Sequence, residues 1–321
     1  MPLSVDELYN RVLDGSAIVH LPVKFFVIYI VLFHTPKQMR NLSLYLLNGM
    51  MWNFAANVVF VFMHLNPIFP SECFRADGLI NYLPDNDILG QILMGLLMFL
   101  ILNCSLAVGP IFHYRYVAFA FPNLVALIKP VWVYVFSVSL HLVTVPPFAF
   151  LYSQWVLPYS SYPIKEELPA GPSVFCFKPY GWEKYVTVGL MFTAEFVAVV
   201  PAFVSAVLLL RSIEKKKGLM HKSSLEKHRR TQLTLMLIGS IPIFIGGVPL
   251  LIAVMLTLAP HLPYAREICM VAIVLITNHG SVYAVALVLA MKPYRKAARH
   301  LFLKLMNRQK TETVFVIGYK K

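Results

Sequence analysis

The sequence predicts an all-α membrane protein: a bundle of seven transmembrane helices with a short amphipathic eighth helix on the cytoplasmic side. Three observations support this fold class. Hydrophobic residues make up 58% of the chain and charged residues only 13%, the charges are clustered, and seven long apolar stretches separate the clusters. An average soluble domain has about 25% charged residues, so a soluble chain of 321 residues would carry many more surface charges.

Seven segments are long enough to cross a bilayer, which takes a helix of about 20 residues with a range of about 17–25. They are residues 16–33, 42–65, 88–112, 131–152, 186–210, 231–259 and 268–291. Five contain no Asp, Glu, Lys or Arg, whereas the first carries Lys24 and the fifth carries Glu195. One such segment alone is compatible with a buried helix of a soluble protein, but seven in series favour membrane spans. The first is the least regular, because His20 and Pro22 interrupt it.

The loop charges predict the orientation. With the N-terminus outside, the inner segments hold 21 of the 28 Lys and Arg residues, and the outer segments hold 11 of the 15 Asp and Glu residues. Since cytoplasmic loops carry the excess of Lys and Arg, we expect an extracellular N-terminus and a cytoplasmic C-terminus. The net charge of +13 therefore indicates orientation rather than nucleic-acid binding, the alternative interpretation of a basic chain.

Residues 292–308 follow the seventh span and show helical spacing of apolar and basic residues, before a short cytoplasmic tail at 309–321. The apolar positions, expected at the acyl boundary, are Tyr294, Ala298, Leu301, Phe302 and Leu305. The basic positions, expected to face anionic lipid headgroups, are Lys292, Arg295, Lys296, Arg299 and Lys304. This pattern predicts an interfacial amphipathic helix; the alternative is a simple charge cluster that stops translocation. We treat 1–308 as one transmembrane domain.

Polar side chains at membrane depth are the best indicators of a ligand site. The candidates are Asn103, Glu195, Asn278, His279 and Lys24. They are expected to surround a cavity in the middle or outer half of the bundle. Alternatively, Glu195 pairs with Lys24 or a histidine as a structural clamp.

The alternative function is a secondary transporter or ligand-gated channel subunit that uses Glu195, Lys24 and His279, although no internal repeat is visible. An enzyme is not indicated, because the chain has no His-Glu-x-x-His, no Gly-x-Ser-x-Gly and no pair of Asp residues within the spans. No metal site or nucleotide loop is recognisable either, so we expect no cofactor.

The sixth span is rich in residues that disturb a helix. Pro242 and Pro249 remove backbone hydrogen bonds, and Gly246 and Gly247 loosen the turn between them. The segment 242–249 is therefore expected to be either a hinge or a static kink.

Five stretches carry a resemblance to a known family. They are "HTPKQM" at 34–39, "NPIFP" at 66–70, "FHYRYVAF" at 112–119, "RRTQLTLMLIGSIPIFIGGVP" at 229–249 and "NHGSVYAVALVLAMKPYR" at 278–295. In order and spacing the chain resembles G-protein-coupled receptors, and within them the nematode serpentine chemoreceptors, most like the Srh class. The resemblance covers nearly the whole chain. It implies a small-molecule ligand, such as an odorant or soluble cue, a heterotrimeric G protein as partner, and a sensory neuron, with the sensory cilium as location.

The resemblance also implies residues that couple to the G protein. They are Arg115, Tyr116, Lys227, Arg229, Arg230, Tyr294 and Arg295. In the general receptor pattern an acid precedes the arginine and holds it at rest, but here that position is Tyr114. Glu226 or Glu214 is the alternative resting partner, and an arginine that only snorkels at a helix end is the structural alternative for Arg115.

The usual receptor disulfide joins the top of the third helix to the second outer loop. Cys73 and Cys176 lie in the first and second outer loops, in an oxidising compartment. The resemblance therefore implies a displaced version of this bridge between Cys73 and Cys176. The alternative is two free thiols.

Overall fold

Long helices occupy the predicted apolar segments. The structure, a computed structural model, describes residues 4–83, 87–127, 130–164, 166, 173–215 and 222–304. Within these residues, six helical segments are long and apolar enough to cross a membrane. A further helix, Pro130–Trp155, has 26 residues and no charged side chain. The prediction of an all-α, seven-span membrane protein is confirmed.

The helices are numbered in chain order. Their bounds are α1 Val5–Phe33, α2 Arg40–Met63, α3 Asp87–Leu106, α4 Val108–Ala120, α5 Pro122–Leu127, α6 Pro130–Trp155, α7 Trp182–Lys215, α8 Lys222–Ile241, α9 Val248–Leu258, α10 Ala265–Ala290 and α11 292–304. The third span consists of α3 and α4, and the sixth of α8 and α9. The other spans are single helices, and α5 lies in the loop between the third and fourth spans. Inner and outer refer here and below to the orientation that the loop charges predict.

The first span is longer and more regular than the sequence predicts, since α1 begins at Val5 rather than at residue 16. A capping box starts it: the Ser4 hydroxyl accepts from the Glu7 backbone N–H at 3.2 Å, and the Glu7 carboxylate accepts from the Ser4 backbone N–H at 3.0 Å. Pro22 lies inside α1 without ending it. The added turns bury one face of the helix, at Tyr9 and Leu13.

The third span changes its packing partner half-way. Ala107 separates α3 from α4, and Pro110 lies in the first turn of α4, where it has no N–H to continue the hydrogen-bond ladder. As a result, α3 packs mainly against α2, whereas α4 packs mainly against α7.

The sixth span is interrupted by a π-helical turn at Pro242–Gly247, within the segment expected to be a hinge or kink. Pro242 cannot donate a hydrogen bond, so the ladder is displaced at this point. The turn packs against α10. A Cβ atom on Gly246 would lie only 2.9 Å from Cγ of His279, so this close approach requires glycine.

A small antiparallel sheet covers the outer end of the bundle, and the sequence analysis did not predict it. Its strands are β1 Leu65–Pro67, β2 Cys73–Ala76, β3 Val156–Leu157 and β4 Val174–Phe177, in the order β1-β2-β4-β3. Strands of two to four residues are too short to show a period of two in the sequence. Cys73 and Cys176 are opposite each other on β2 and β4 and are joined by a disulfide.

The two largest apolar clusters of the described residues form an outer and an inner part of the core, with polar residues between them. On α2, Met50 belongs to the inner cluster and Ala56 to the outer one. On α10, Ala284 belongs to the inner cluster and Ile273 to the outer one. The polar groups described below lie between these positions.

The helix after the seventh span is present as α11, but Tyr294 does not lie at the acyl boundary as expected. Its side chain is fully buried in the inner cluster, with its hydroxyl 3.1 Å from that of Thr35. Tyr294 follows the end of α10 by one turn, so it reaches back to the bundle instead of to lipid. Phe302 remains 62% exposed, and the predicted continuation 305–308 lies outside the described residues.

Candidate ligand site and cytoplasmic face

Two adjoining cavities lie in the bundle between the outer and inner clusters. The first has a volume of about 50 Å³, and its polar lining includes Lys24, Asn53, Cys104 and His279. The second has a volume of about 70 Å³, shares Asn53, Cys104 and His279 with the first, and adds Glu195. Among the described residues, no group of three His, Cys, Asp or Glu side chains could hold a metal ion. The site therefore offers a cation, an amide, an imidazole and a carboxyl group.

A third cavity of about 110 Å³ continues outward and is almost entirely apolar. Its walls include Phe60, Met98, Trp155 and Met191, and it shares Thr277 with the second cavity. Together the three cavities form a path whose few polar groups lie in the first two cavities and whose outer end is apolar. Such a path suits a small amphipathic molecule.

The imidazole of His279 is held in one tautomer by two contacts. Its Nδ1 lies 2.5 Å from the carbonyl oxygen of Ile276, to which only a protonated nitrogen can donate. Its Nε2 then accepts from Nδ2 of Asn53 at 3.1 Å. This arrangement makes His279 a neutral ring with a fixed orientation. The Asn53 side chain also hydrogen-bonds to the sulfur of Cys104, so its amide connects α10 to α3.

Asn57 lies one turn outward from Asn53 on the same face of α2. It donates to the carbonyl oxygen of Thr277 at 2.7 Å, and its amide nitrogen is 3.4 Å from Nδ1 of His20. The two asparagines thus connect α2 to α1 and α10 at the level of the cavities. These contacts fix three of the helices that surround the candidate site.

Lys24 is buried, with 2% of its surface exposed, and its amino group has no hydrogen-bond partner. Glu195 instead accepts a hydrogen bond from the hydroxyl of Ser105. The clamp between Lys24 and Glu195 that the sequence left open is therefore wrong. The two side chains line different cavities: Lys24 lines the first but not the second, and Glu195 lines the second but not the first.

Two of the expected ligand residues use their amides elsewhere. Asn103 donates to the carbonyl oxygen of Phe99 at 2.8 Å and has its Oδ1 2.6 Å from Nδ1 of His141. Asn278 donates to the carbonyl oxygen of Val274 on its own helix at 2.9 Å. Neither residue lines the three cavities. A side chain that satisfies its own helix backbone is common in spans, and sequence alone does not distinguish it from a ligand contact.

At the inner end of the third span, an aromatic pair occupies the place where an acid was expected. The ring of Tyr114 packs against Tyr45 of α2, with 5.2 Å between the ring centroids. None of the ion pairs found among the described residues involves Arg115. A resting lock between Arg115 and Glu214 or Glu226 stays a prediction.

The other expected coupling residues differ in accessibility. Arg229, Arg230 and Arg295 are exposed, and Tyr116 is half-buried against Phe121. Arg295 also donates to the carbonyl oxygen of Leu289 at 2.9 Å, which satisfies the end of α10. The side chain of Lys227 lies outside the described part of the chain. Tyr294 is buried, as described above, and so presents no surface to a partner.

The outer end of the bundle is held together by ion pairs that involve Asp6. Its carboxylate binds Nη2 of Arg75 at 2.9 Å and Nη2 of Arg266 at 2.6 Å. Arg75 is on β2 and Arg266 is in the first turn of α10. The start of α1 is therefore connected to both the sheet and the seventh span.

Asp77 completes this outer network. Burial alone would raise the pKa of its carboxyl group, but hydrogen bonds from Arg75, Asn66 and Asn10 outweigh burial and hold the pKa below its ordinary value. Nε of Arg75 lies 2.5 Å from Oδ1 of Asp77. The hydrogen bonds between Arg75 and Asp77, together with the charge of Asp77, in turn raise the pKa of Arg75. The pair is charged throughout the physiological pH range.

A family model described as serpentine type 7TM GPCR chemoreceptor Srh matches residues 4–304. The match begins at the capping residue of α1 and ends with α11, so it includes every span. The chain belongs to the Srh family of serpentine chemoreceptors. No curated protein sequence matches it significantly. The resemblance noted from the sequence is confirmed.

As a member of the Srh family, this chain is a multi-pass membrane protein of a chemoreceptor class, which is not a class of enzymes. Sequence reasoning identified Lys24, His279 and Glu195, which the fold brings to contiguous cavities. It missed Asn53 and Asn57. Two asparagines four residues apart in an apolar span would lie on one helix face, and that spacing was the available signal.

Proposed function

We propose that this Srh-family chain binds a small-molecule environmental cue in its contiguous cavities and activates a heterotrimeric G protein. The observation that carries the proposal is the position of His279. Its ring lines the two polar cavities and also contacts the π-helical turn at Gly246. A ligand that displaces this ring acts directly on the sixth span. The ligand-contacting residues are Lys24, His279 and Glu195, with Asn53 as a positioning residue for His279.

The inner half of the sixth span leads from this turn to the cytoplasmic face. There Gly239 packs so closely on α4 that a Cβ atom would lie 2.4 Å from the ring of Phe112. Phe112 is one turn before Arg115, the group proposed to enter the G-protein interface. A ligand that favours separation of α8 from α4 would therefore shift a resting–active equilibrium toward the state with Arg115 accessible.

The cytoplasmic surface proposed to bind the G protein is basic. It consists of Arg115 and Tyr116, with Lys227, Arg229 and Arg230 before the sixth span and Arg295 on α11. We assign Tyr294 to anchoring α11 instead, because its ring is buried. The charge distribution supports an extracellular N-terminus, and a chemosensory role is consistent with a plasma-membrane or ciliary location in a sensory neuron.

The test is a screen of small volatile and water-soluble compounds on cells that express the chain, with a G-protein readout. For an active compound, Arg115→Ala should abolish the response at matched surface expression and leave ligand binding intact. Arg40→Ala removes another exposed arginine on the inner side and should signal normally. Normal signalling by Arg115→Ala would contradict the coupling role. A compound-dependent current without any G protein would favour the transporter or channel alternative.

A further inference from the structure

The unpaired amino group of Lys24 indicates the chemistry of the ligand. Two lysines are buried in the part of the chain that the structure describes, Lys24 and Lys184. Lys184 forms an ion pair with Glu72 beneath the outer sheet. Lys24 has no partner, although its side chain is 2% exposed and lines the first cavity. Buried charges in proteins are normally paired, because removal from water is costly for an isolated ion.

The protein supplies no anion at the wall of this cavity. Its polar lining is Lys24, Asn53, Cys104, His279 and Tyr283, none of which is a carboxylate. His279 is neutral and held by two contacts. Glu195 lines only the adjoining cavity and accepts from a serine hydroxyl. For Lys24 to be charged, the compensating negative charge has to come from the occupant of the cavity.

We infer that the cue is a small carboxylic acid whose carboxylate pairs with Lys24, an inference that rests on the receptor function proposed above. A carboxylate has two oxygen atoms, and the ammonium group of Lys24 has three hydrogens that can be donated to them. Toward the second cavity the shared lining is apolar at Val108 and Pro242. The hydrocarbon part of the acid lies against these side chains and extends toward the outer cavity.

The cavity volumes restrict the size of the acid. An apolar cavity of about 150 Å³ holds one benzene molecule, and the three contiguous cavities here are 50, 70 and 110 Å³. A straight-chain monocarboxylate such as butanoate, hexanoate or octanoate fits these dimensions. A bulky or multiply charged anion does not, because a single cation is available to it.

The experiment measures the thermal stability of the full chain in nanodiscs, which needs no G protein. Hexanoate should raise the melting temperature, whereas 1-hexanol and hexanamide, which share its hydrocarbon part but carry no negative charge, should not. Lys24→Met removes the charge while keeping a similar length, and it should weaken hexanoate binding by about tenfold to a hundredfold, the range for a charge-assisted hydrogen bond. Lys37→Met, at an exposed lysine, should retain wild-type binding.

Several outcomes would overturn the inference. One is equal stabilisation by hexanoate and 1-hexanol, and another is unchanged hexanoate affinity in Lys24→Met. A third is the absence of any shift by the three acids in the wild-type chain, a result that does not depend on a variant that folds. Stabilisation by hexanal alone would also overturn it, since it would indicate condensation with the amine instead of ion pairing.

The readouts separate this inference from the receptor function. Binding of hexanoate that depends on Lys24, without any G-protein response, would support the acid site and contradict the receptor proposal. A G-protein response to neutral compounds, with no binding of the acids, would support the receptor proposal and overturn the acid site.

Discussion

Replacing Gly246 with alanine tests whether the contact between the sixth span and His279 matters. The new methyl group would lie 2.9 Å from Cγ, 3.0 Å from Cδ2 and 3.1 Å from Nδ1 of His279. Carbon atoms in contact are normally about 3.5–4.0 Å apart, so the ring or the turn must move by several tenths of an ångström. Extra volume in a packed core costs about 1–3 kcal/mol, and alanine returns about 0.5–1 kcal/mol of helix propensity.

Gly247→Ala is the matched control. It makes the same change in the same π-helical turn, but its methyl group would lie 3.8 Å from its nearest neighbours, Glu195 Oε2 and the carbonyl oxygen of Pro242. That distance is an ordinary contact, so only the propensity gain remains. We expect Gly246→Ala to be less stable than Gly247→Ala by about 1–3 kcal/mol.

The assay compares the melting temperatures of the two purified variants and their basal G-protein signalling at equal surface expression. Gly246→Ala should melt at a lower temperature and change basal signalling, while Gly247→Ala should stay near wild type. In the double variant with His279→Ala, the alanine at 246 should destabilise the protein less than it does in the wild-type background, because the ring it would clash with is absent. Equal behaviour of the two single variants, or an undiminished cost in the double variant, would refute the reasoning.

Three further predictions concern the outer side and the topology. Cys73→Ser and Cys176→Ser should lower surface expression equally and the double variant should be no worse; additive losses would indicate independent thiols. Because the pKa of Asp77 is lowered in the folded state, its stabilisation is present above its unfolded pKa of about 4 and is lost as pH falls through the folded pKa. Asp77→Asn should therefore make the melting temperature depend less on pH between pH 5 and 3, roughly the range in which carboxyl groups titrate. The same pH dependence in the variant and the wild type would argue against this. A tag before α1 should be accessible on intact cells and one at residue 321 only after permeabilisation; exposure of both on one side would contradict seven spans.

The fold was predictable where single helices had to be recognised. Apolar length identified the spans, because a helix that crosses lipid must satisfy its own backbone and can carry few charges. The same criterion missed the first turns of α1, which are polar on their outer face, although Ser4 and Glu7 form a capping box that is visible in the sequence. It also missed the outer sheet, whose strands acquire their order only from pairing between distant loops.

The site was predictable only in part, for a related reason. A polar residue inside a span has several possible partners, and the sequence does not show which is near. Glu195 was considered as a partner of Lys24, but Ser105 is closer and satisfies it. Asn103 was expected at the cavity, but His141 on the neighbouring span takes its amide oxygen. Which partner lies near a polar side chain depends on how each helix is rotated about its axis. A helix that is apolar on all sides gives no sequence signal for that rotation.

The connectivity of the outer sheet determines the order of events during biosynthesis. Strand β2 precedes the third span and β4 follows the fourth, and the disulfide between them closes a separation of 103 residues. Neither the β2–β4 pairing nor the disulfide can form until both intervening helices have been inserted across the membrane. Until then, β2 exposes an unpaired strand edge, the ring of Phe74 and a reactive thiol. A delay in inserting the fourth span therefore prolongs the exposure of a strand made two helices earlier.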